Sequence, residues 1–176
     1  NDNVLYPVTD EQGKVVAVTG LAYNISKRKR SEEQIRKLVS AVEQSPSIIL
    51  ITDLHGTIEY VNPKFAQITQ YSAEEVIGKN PRILQSGEHS VEFYQALWEA
   101  IRSGKGWRGE FLNRKKDGEV YWEFASISSV KDAEGKITHF LKVAEDITER
   151  KRAEEALRES RERLLRAQCV ARMGFL

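Results

Sequence analysis

The stretch SIILITDLHGTIEYVNPKF, residues 47–65, decides the fold. Ser47 to Asp53 is a short apolar run rich in β-branched residues, which predicts a strand. His55 to Thr57 supplies a glycine for a turn, and IEYVN then predicts a second strand, so the two strands form a hairpin. Asn62 and Pro63 suit an N-cap and the first position of a helix, so a helix follows the hairpin directly.

Residues 66–148 predict the rest of one α+β domain. Ser72 begins a short helix that Gly78 ends, and a longer amphipathic helix, SVEFYQALWEAIRSG, ends at Gly104. Three strands follow, WRGEFLNRKK, EVYWEFASISSV and KITHFLKVAEDI, and KDGE and KDAEG turns join them into a meander. This order predicts a five-stranded antiparallel sheet with short helices over one face, flanked by N- and C-terminal linker helices.

An internal repeat sets the domain organisation. DEQGKVVAVTGLAYNISKRKRSEE, from Asp10, matches DAEGKITHFLKVAEDITERKRAEE, from Asp132, without a gap. We therefore expect a piece of a longer protein with repeated domains. The predicted segments are the last strands of a preceding domain at 1–26, a linker helix at 27–45, one whole domain at 46–148, and an output or linker helix at 149–176 that is a candidate entry into a further domain.

Composition narrows the function classes. Charged residues make up 30% of the chain, yet the formal net charge is +1, which gives no general attraction to nucleic acid. No apolar run approaches the ~18–20 residues of a membrane-spanning helix. The single cysteine, Cys169, cannot form an internal disulfide and fits a reducing compartment. We expect a cytoplasmic location and neither a nucleic-acid partner nor a membrane span.

Residues that carry chemistry are sparse. The sequence contains no metal-ligand cluster, nucleophile–base set or phosphate-cradling glycine loop, so we expect this segment not to be an enzyme. His139 is a candidate haem ligand without a second ligand, and a surface histidine is the alternative. The basic run Lys27–Arg30 is followed at once by SEE, which favours a linker helix over a nucleic-acid contact.

Four segments resemble PAS sensory domains and the PAS-associated C-terminal motif. They are AVEQSPSIILITDLHGTIEYVNPKF, YSAEEVIGKN, GEFLNRKKDGEVYWEF and EDITERKRAEE, within roughly residues 36–148. The resemblance implies a sensory, signal-transmitting module of a multidomain bacterial protein, a two-component histidine kinase or a cyclic-di-nucleotide enzyme such as a diguanylate cyclase. Neighbouring PAS and output domains would be its partners. The alternative is a ligand-free PAS domain that serves as a structural dimerisation spacer.

The segment GKNPRILQSG, residues 78–87, resembles the flavin-binding turn of light-sensing LOV domains. Those domains carry a reactive cysteine where this chain has Pro81, so the resemblance excludes their adduct chemistry. A nearer resemblance is to FAD-holding redox PAS domains of nitrogen-fixation and methane-oxidation regulators. Two polar ring contacts of that group fall on Leu50 and Pro81, which lack polar side-chain atoms.

These resemblances imply a ligand cavity with GKNPRILQSG as one wall. We expect Asn80 and Leu84 to face inward, Trp107 to stack on a planar ring and Asn113 to hydrogen-bond it. Arg82 is a candidate phosphate contact and Glu123 a further sheet residue of the cavity. The alternatives are a core tryptophan, a turn amide and a surface cation. FAD, a small metabolite and an empty cavity all stay open.

Two helical segments predict a homodimer, and the segment before the second predicts a route for signals. Ile35, Leu38 and Val42 in the first segment, and Leu157, Ser160, Leu164, Ala167 and Ala171 in the second, follow the 3–4 spacing of a coiled-coil seam. The alternative is a solvated helix on its own domain. Asp146, Ile147 and Thr148 join the last strand to the second helix, and Asp146 or Thr148 is expected to cap that helix.

Overall fold

The computed structural model describes residues 3–22 and 26–173. The chain divides into two compact units, Asn1–Val42 and Glu43–Leu176. In the first unit, strands β1 (Asn3–Thr9) and β2 (Val15–Ala22) form an antiparallel hairpin. Helix α1 runs over Ser26–Glu43. It begins one residue earlier than the predicted linker helix at 27–45, and it ends two residues earlier.

The repeated Asp-x-x-Gly turn has the same hydrogen bonds in both copies. In the first, the Asp10 carboxylate accepts from the backbone amides of Gln12 and Lys14, at 3.0 and 2.9 Å. In the second, the Asp132 carboxylate accepts from the amides two and four residues later, at 3.1 and 2.8 Å. Both turns place their glycine at positive φ, where a side chain would be strained. That residues 1–26 belong to a preceding PAS domain stays a prediction.

The second unit is built on a five-stranded antiparallel sheet, which confirms the predicted fold class. Its spatial order is β4-β3-β7-β6-β5. The strands are β3 (Ile48–Thr52), β4 (Ile58–Val61), β5 (Trp107–Arg114), β6 (Val120–Lys131) and β7 (Ile137–Asp146). The first and last strands of the domain, β3 and β7, thus pair with each other inside the sheet. Local sequence patterns do not reveal this pairing.

Short helices cross between β4 and β5, and local capping sets where they begin. They are α2 (Pro63–Thr69), α3 (Ala73–Val76), a 3₁₀ helix (Pro81–Leu84) and α4 (Val91–Arg102). Asn62, Ser72, Asn80 and Ser90 each accept a hydrogen bond from a backbone amide of the helix that follows. The caps at Asn62 and Ser72 lie where the sequence predicts them.

The core lies between these helices and one face of the sheet. Side chains from every layer meet there, including Leu50, Phe65, Leu97, Phe111 and Phe140. Helix α5 (Thr148–Met173) follows β7 directly. Over the described ranges, no helix is long and apolar enough to cross a membrane.

Candidate functional site

A cavity of about 1050 Å³ lies between the inner face of the sheet, the 3₁₀ helix and α4. Strand β3 lines it with Leu50, and β7 lines it with Phe140 and Lys142. Helix α4 contributes Trp98 and Arg102. The volume falls near the upper end of the ~300–1000 Å³ range that is usual for small-molecule sites.

The GKNPRILQSG segment is one wall of this cavity. Asn80, Arg82 and Leu84 all line it, Leu84 as a buried residue and Arg82 as an exposed one. The Asn80 side-chain oxygen accepts from the Arg82 backbone amide at 3.1 Å, which fixes the turn. Asn113, buried on β5, faces the same space. Their contact with a ligand stays a prediction.

Trp107 lies elsewhere, outside the set of residues that line the cavity. Its ring covers Gly109, where an added Cβ would lie 2.5 Å from the indole. It also meets Phe93 edge-on, at a ring-centroid distance of 5.4 Å, and Phe111 at 4.9 Å. The indole fills the space that the missing side chain of Gly109 leaves on the same face of β5, and it packs against the core as a partly buried residue. Its contact with a ligand stays a prediction.

Glu123 lies just behind the cavity wall and pairs with a lysine that does line the cavity. The Glu123 carboxylate is 0% exposed and forms an ion pair with Lys142, whose side chain is 11% exposed. The Lys142 ammonium also lies over the Phe111 ring, 5.0 Å from its centroid. The sequence reasoning missed Lys142. The signal was its place between the core residues Phe140 and Ala144, because alternate residues of a strand share a face.

A buried tyrosine completes this polar end of the cavity. The Tyr121 hydroxyl lies 3.5 Å from the Glu123 carboxylate. Burial, with the negative charge of Glu123 as a second cause, raises the pKa of the Tyr121 phenol well above its usual value. The phenol therefore stays protonated and can only stabilise the carboxylate as a donor. The inner end is thus built around one buried, paired negative charge.

The outer part of the cavity is cationic. Arg82 and Arg102 line it, and Glu99 is the acidic side chain among the described lining residues. The Arg102 guanidinium lies over the Trp98 ring at 4.9 Å from its centroid, which holds the cation by a cation–π contact. Arg102 and Trp98 were not predicted, because only the tertiary fold brings α4 over the sheet.

The start of helix α5 is tied to the neighbouring strand β6. The Ile147 amide donates to the Trp122 carbonyl at 2.8 Å, and the Trp122 amide donates to the Thr148 hydroxyl at 2.9 Å. The Asp146 carboxylate accepts from the Thr148 amide at 2.9 Å. Asp146 therefore caps the helix as expected, while Thr148 does not. The β6–β7 register pairs Glu123 with Asp146, which places Trp122 opposite Ile147 and within reach of the next residue, Thr148.

The first turn of α5 has a second link to the sheet. Lys151 forms an ion pair with Glu110 on β5 at 2.6 Å, and its ammonium lies 5.1 Å from the centroid of the Trp122 ring. Arg150 approaches the same glutamate at 3.7 Å. Because these charges are partly exposed, each pair is worth at most ~1 kcal/mol. Together they orient the first turn rather than hold the fold.

The predicted seam residues are largely exposed to solvent. Leu157 is 72% exposed and Leu164 is 63% exposed on α5, and Ile35 and Leu38 are exposed on α1. Val42 is half-buried, and the side chains of Ala167 and Ala171 lie outside the described residues. Exposed leucines at this spacing suit a helix that pairs with another helix. The homodimer stays a prediction.

In the part of the chain that the structure describes, no group of three or more histidine, cysteine, aspartate or glutamate side chains could hold a metal ion. His139 is half-buried on β7, with its ring 3.1 Å from the Glu59 carboxylate. This geometry fits a surface histidine.

Comparison with known proteins identifies the family. A family model described as a PAS domain matches residues 46–149. The chain belongs to the PAS family. The match confirms the resemblance found in the sequence and covers more than half of the chain.

PAS relatives are regulators and kinases. A nitrogen fixation regulatory protein of Klebsiella oxytoca is 34% identical over 117 residues, which cover 66% of this chain and 24% of that protein. A blue-light-activated histidine kinase of Brucella abortus is 36% identical over 112 residues, which cover 62% and 23%. The chain thus spans about a quarter of the length of these relatives, and each is far longer than the PAS domain that they share.

Solved PAS structures include light-sensing domains. An RNA-binding light-oxygen-voltage receptor superposes with a TM-score of 0.67 at 26% identity, over 92% of this chain and 43% of that chain. The LOV domain of a blue-light-activated histidine kinase from Erythrobacter litoralis gives a TM-score of 0.55 at 28% identity, over 60% and 99%. These likenesses make flavin the cofactor to test against the geometry.

The PAS cavity suits the phosphates of a flavin at its outer part and meets the needs of the ring only in part at its inner end. Arg82 and Arg102 suit phosphate oxygens, and the volume is ample. The edge of a flavin ring offers both donors and acceptors, so it needs side chains that do the same. Asn113 can do both, whereas Lys142 can only donate, Glu123 is already paired, and Leu50 offers no polar side-chain atom.

Proposed function

We propose that this chain is the sensory and signal-transmitting PAS module of a multidomain bacterial signalling protein, with no catalytic activity of its own. The output domain would be a histidine kinase or a cyclic-di-nucleotide enzyme elsewhere in the protein. The support is the PAS family match together with relatives that are regulators and kinases about four times as long as the matched segment. The module would act in the cytoplasm.

The stimulus would be a small molecule or a redox change in the cavity. FAD is the cofactor that the LOV and redox look-alikes suggest, and Arg82 and Arg102 would meet its phosphates. The charged inner end argues against the ring, so a metabolite without a flavin ring is the second candidate. A visible absorbance spectrum of the purified protein decides, because a flavin colours the protein yellow and most metabolites leave it colourless.

One observation carries the transmission step. Both backbone hydrogen-bonding groups of Trp122 are used by the start of α5, its amide by Thr148 and its carbonyl by Ile147. Trp122 directly precedes Glu123, which lies behind the cavity. A shift of β6 at the cavity would therefore move the first turn of α5 without crossing any loop. Each of these hydrogen bonds is worth ~1 kcal/mol, which is comparable to the bias of a two-state switch.

Helix α5 would carry the signal as one strand of a parallel coiled coil in a homodimer. The exposed Leu157 and Leu164 support this arrangement. The solvent face of the sheet offers a second surface for pairing, because Phe124 and Val143 are also exposed there. In the alternative, the domain is a ligand-free spacer that dimerises through the same helices.

The test uses the full-length protein and its own output activity. Thr148→Val keeps the shape of the side chain and removes the hydroxyl that accepts from Trp122. We expect it to change basal or stimulated output while the domain stays folded. Thr148→Ser, which keeps the hydroxyl, should behave like the unmodified protein. Equal output from all three proteins, at equal melting temperature, would contradict the transmission route. Output that never responds to any ligand would favour the spacer.

A further inference from the structure

The inner end of the cavity presents an ammonium group, and its counter-charge lies out of reach of a ligand. Lys142 lines the cavity, whereas Glu123 is 0% exposed and is not among the lining residues. A bound molecule would therefore meet the positive partner of the pair first. We propose that Lys142 binds the carboxylate of a small aromatic acid. This inference rests on the proposed sensory function of the cavity.

The charges around the cavity favour an anion. Lys142, Arg82 and Arg102 line it, against the single acid Glu99 among the described lining residues. A cationic ligand would meet the Lys142 ammonium in the partly desolvated inner end, where charges interact more strongly than in water, and two arginines at the outer part. A carboxylate at Lys142 meets an opposite charge there. The charges that line the cavity therefore favour an anionic ligand over a cationic one.

The ammonium has donors to spare. A lysine ammonium carries three N–H donors, and Glu123 is the hydrogen-bond partner that the described residues give to Lys142. Its other close neighbour is the face of Phe111, 5.0 Å away, which attracts the charge but accepts no conventional hydrogen bond. The amide of Asn113 lies at the same cavity wall and can add a neutral donor. A carboxylate offers acceptors for both.

The walls suit an aromatic body. Tyr94, Trp98, Phe111 and Phe140 all line the cavity, and the Trp98 and Phe140 rings meet edge-on at a centroid distance of 5.8 Å. Aromatic rings pack on one another in this offset or edge-on way. An aromatic acid would place its ring among these side chains and its carboxylate at Lys142. A small hydrophilic acid would leave these aromatic side chains in contact with water.

Binding at this place would reach the output helix. A ligand carboxylate on Lys142 competes with Glu123 for the ammonium and so loosens the ion pair between β6 and β7. Glu123 is the residue next to Trp122, and Trp122 holds the start of α5 through two backbone hydrogen bonds. The ligand would thus act on Glu123, one residue from the Trp122 backbone that holds the start of α5.

The test is isothermal titration calorimetry of the whole chain with phenylacetate and with phenylacetamide. The two probes share the ring and methylene group and differ in charge. We expect phenylacetate to bind about tenfold more tightly or better, since a hydrogen bond to a charged group is worth more than a neutral one. Glu123→Gln should tighten phenylacetate binding further, because the ammonium loses its competing carboxylate.

The double variant Glu123→Gln, Lys142→Met keeps the inner end uncharged, which avoids a buried unpaired charge. It should bind phenylacetate about as weakly as phenylacetamide. Lys136→Met, which changes an exposed lysine one residue before the same strand, should bind both probes like the unmodified chain. Equal affinity for the two probes, no binding of either, or full phenylacetate affinity in the double variant would each overturn the proposal. The transmission test with Thr148→Val is independent of all three outcomes.

Discussion

The buried ion pair between Glu123 and Lys142 makes the sharpest prediction about stability. Lys142→Met removes the ammonium and leaves a carboxylate that is 0% exposed without its counter-charge. Breaking a buried pair from one side costs ~3–5 kcal/mol, because the remaining charge is desolvated and unpaired. The Tyr121 hydroxyl lies 3.5 Å from the carboxylate, and so long a hydrogen bond is too weak to replace the ion pair with the lysine. We therefore expect a loss in this range.

The double variant Glu123→Gln, Lys142→Met removes both charges. A neutral amide in the same volume needs less stabilisation, so this protein should lose clearly less free energy of unfolding than Lys142→Met alone. Replacing a buried ion pair by neutral groups is often close to neutral in free energy. The difference between the two variants measures how much of the cost comes from the unpaired charge.

The assay is urea unfolding followed by tryptophan fluorescence. All three tryptophans of the chain, Trp98, Trp107 and Trp122, lie in the PAS domain, so the signal reports this domain and not the N-terminal hairpin. Lys136→Met is the matched control, and a surface change of this kind should stay within ~0.5 kcal/mol. A loss below ~1 kcal/mol for Lys142→Met, or an equal loss in the double variant, would refute the reasoning.

Three further predictions test packing, assembly and charge. Gly56→Ala should cost ~1–3 kcal/mol of unfolding free energy, because Gly56 has a φ of +83° and an added Cβ would lie 2.8 and 2.9 Å from two side chains. Gly118→Ala is the control in the same urea assay. Gly118 has a similar φ with nothing within 4 Å, so this variant should cost less. Leu164→Glu should lower the dimer fraction in sedimentation, and Leu165→Glu, off the predicted seam, should lower it less; a monomer in every case would contradict the seam. Hydrogen bonding from Lys116 and then from the Ser72 amide lowers the pKa of Glu75, so its stabilising effect is present above the unfolded-state pKa of ~4.3 and is lost as pH falls through the lower folded-state value. Glu75→Gln should therefore flatten the acid side of a plot of stability against pH, and an unchanged plot would count against the pairing.

Local patterns were reliable where the chemistry is local. The hairpin at Ser47–Asn62 and the caps at Asn62 and Ser72 depend on residues within a few positions of one another, and the structure has them where the sequence places them. Asp146 likewise caps α5 through the amide two residues later. In each case one short segment contains both the donor and the acceptor, so no knowledge of the rest of the fold is needed.

Local patterns did not reveal partners that are distant in sequence. Either Asp146 or Thr148 was expected to cap α5, and Thr148 instead binds Trp122, because the β6–β7 register brings Trp122 opposite the neighbouring Ile147. The ring of Trp107 covers Gly109 and packs on Phe111, contacts that the sequence did not reveal, and its stacking on a ligand stays a prediction. Both outcomes depend on which strand face and which neighbour a side chain meets, and those are set only when the sheet assembles.

The sequence by itself determined the family, the order of helices and strands, the segment that forms one cavity wall, and the repeated Asp-x-x-Gly turn. The order of the elements and the turn follow from short-range periodicity, capping and turn residues, and the family and the cavity wall follow from the resemblance of the chain's motifs to PAS domains. Only the tertiary structure decided that Lys142 meets Glu123 at the inner end of the cavity and that Arg102 lines its outer part. The physical reason is that a cavity's charge is a property of side chains brought together from β6, β7 and α4, and cross-strand register and helix placement have no local signature.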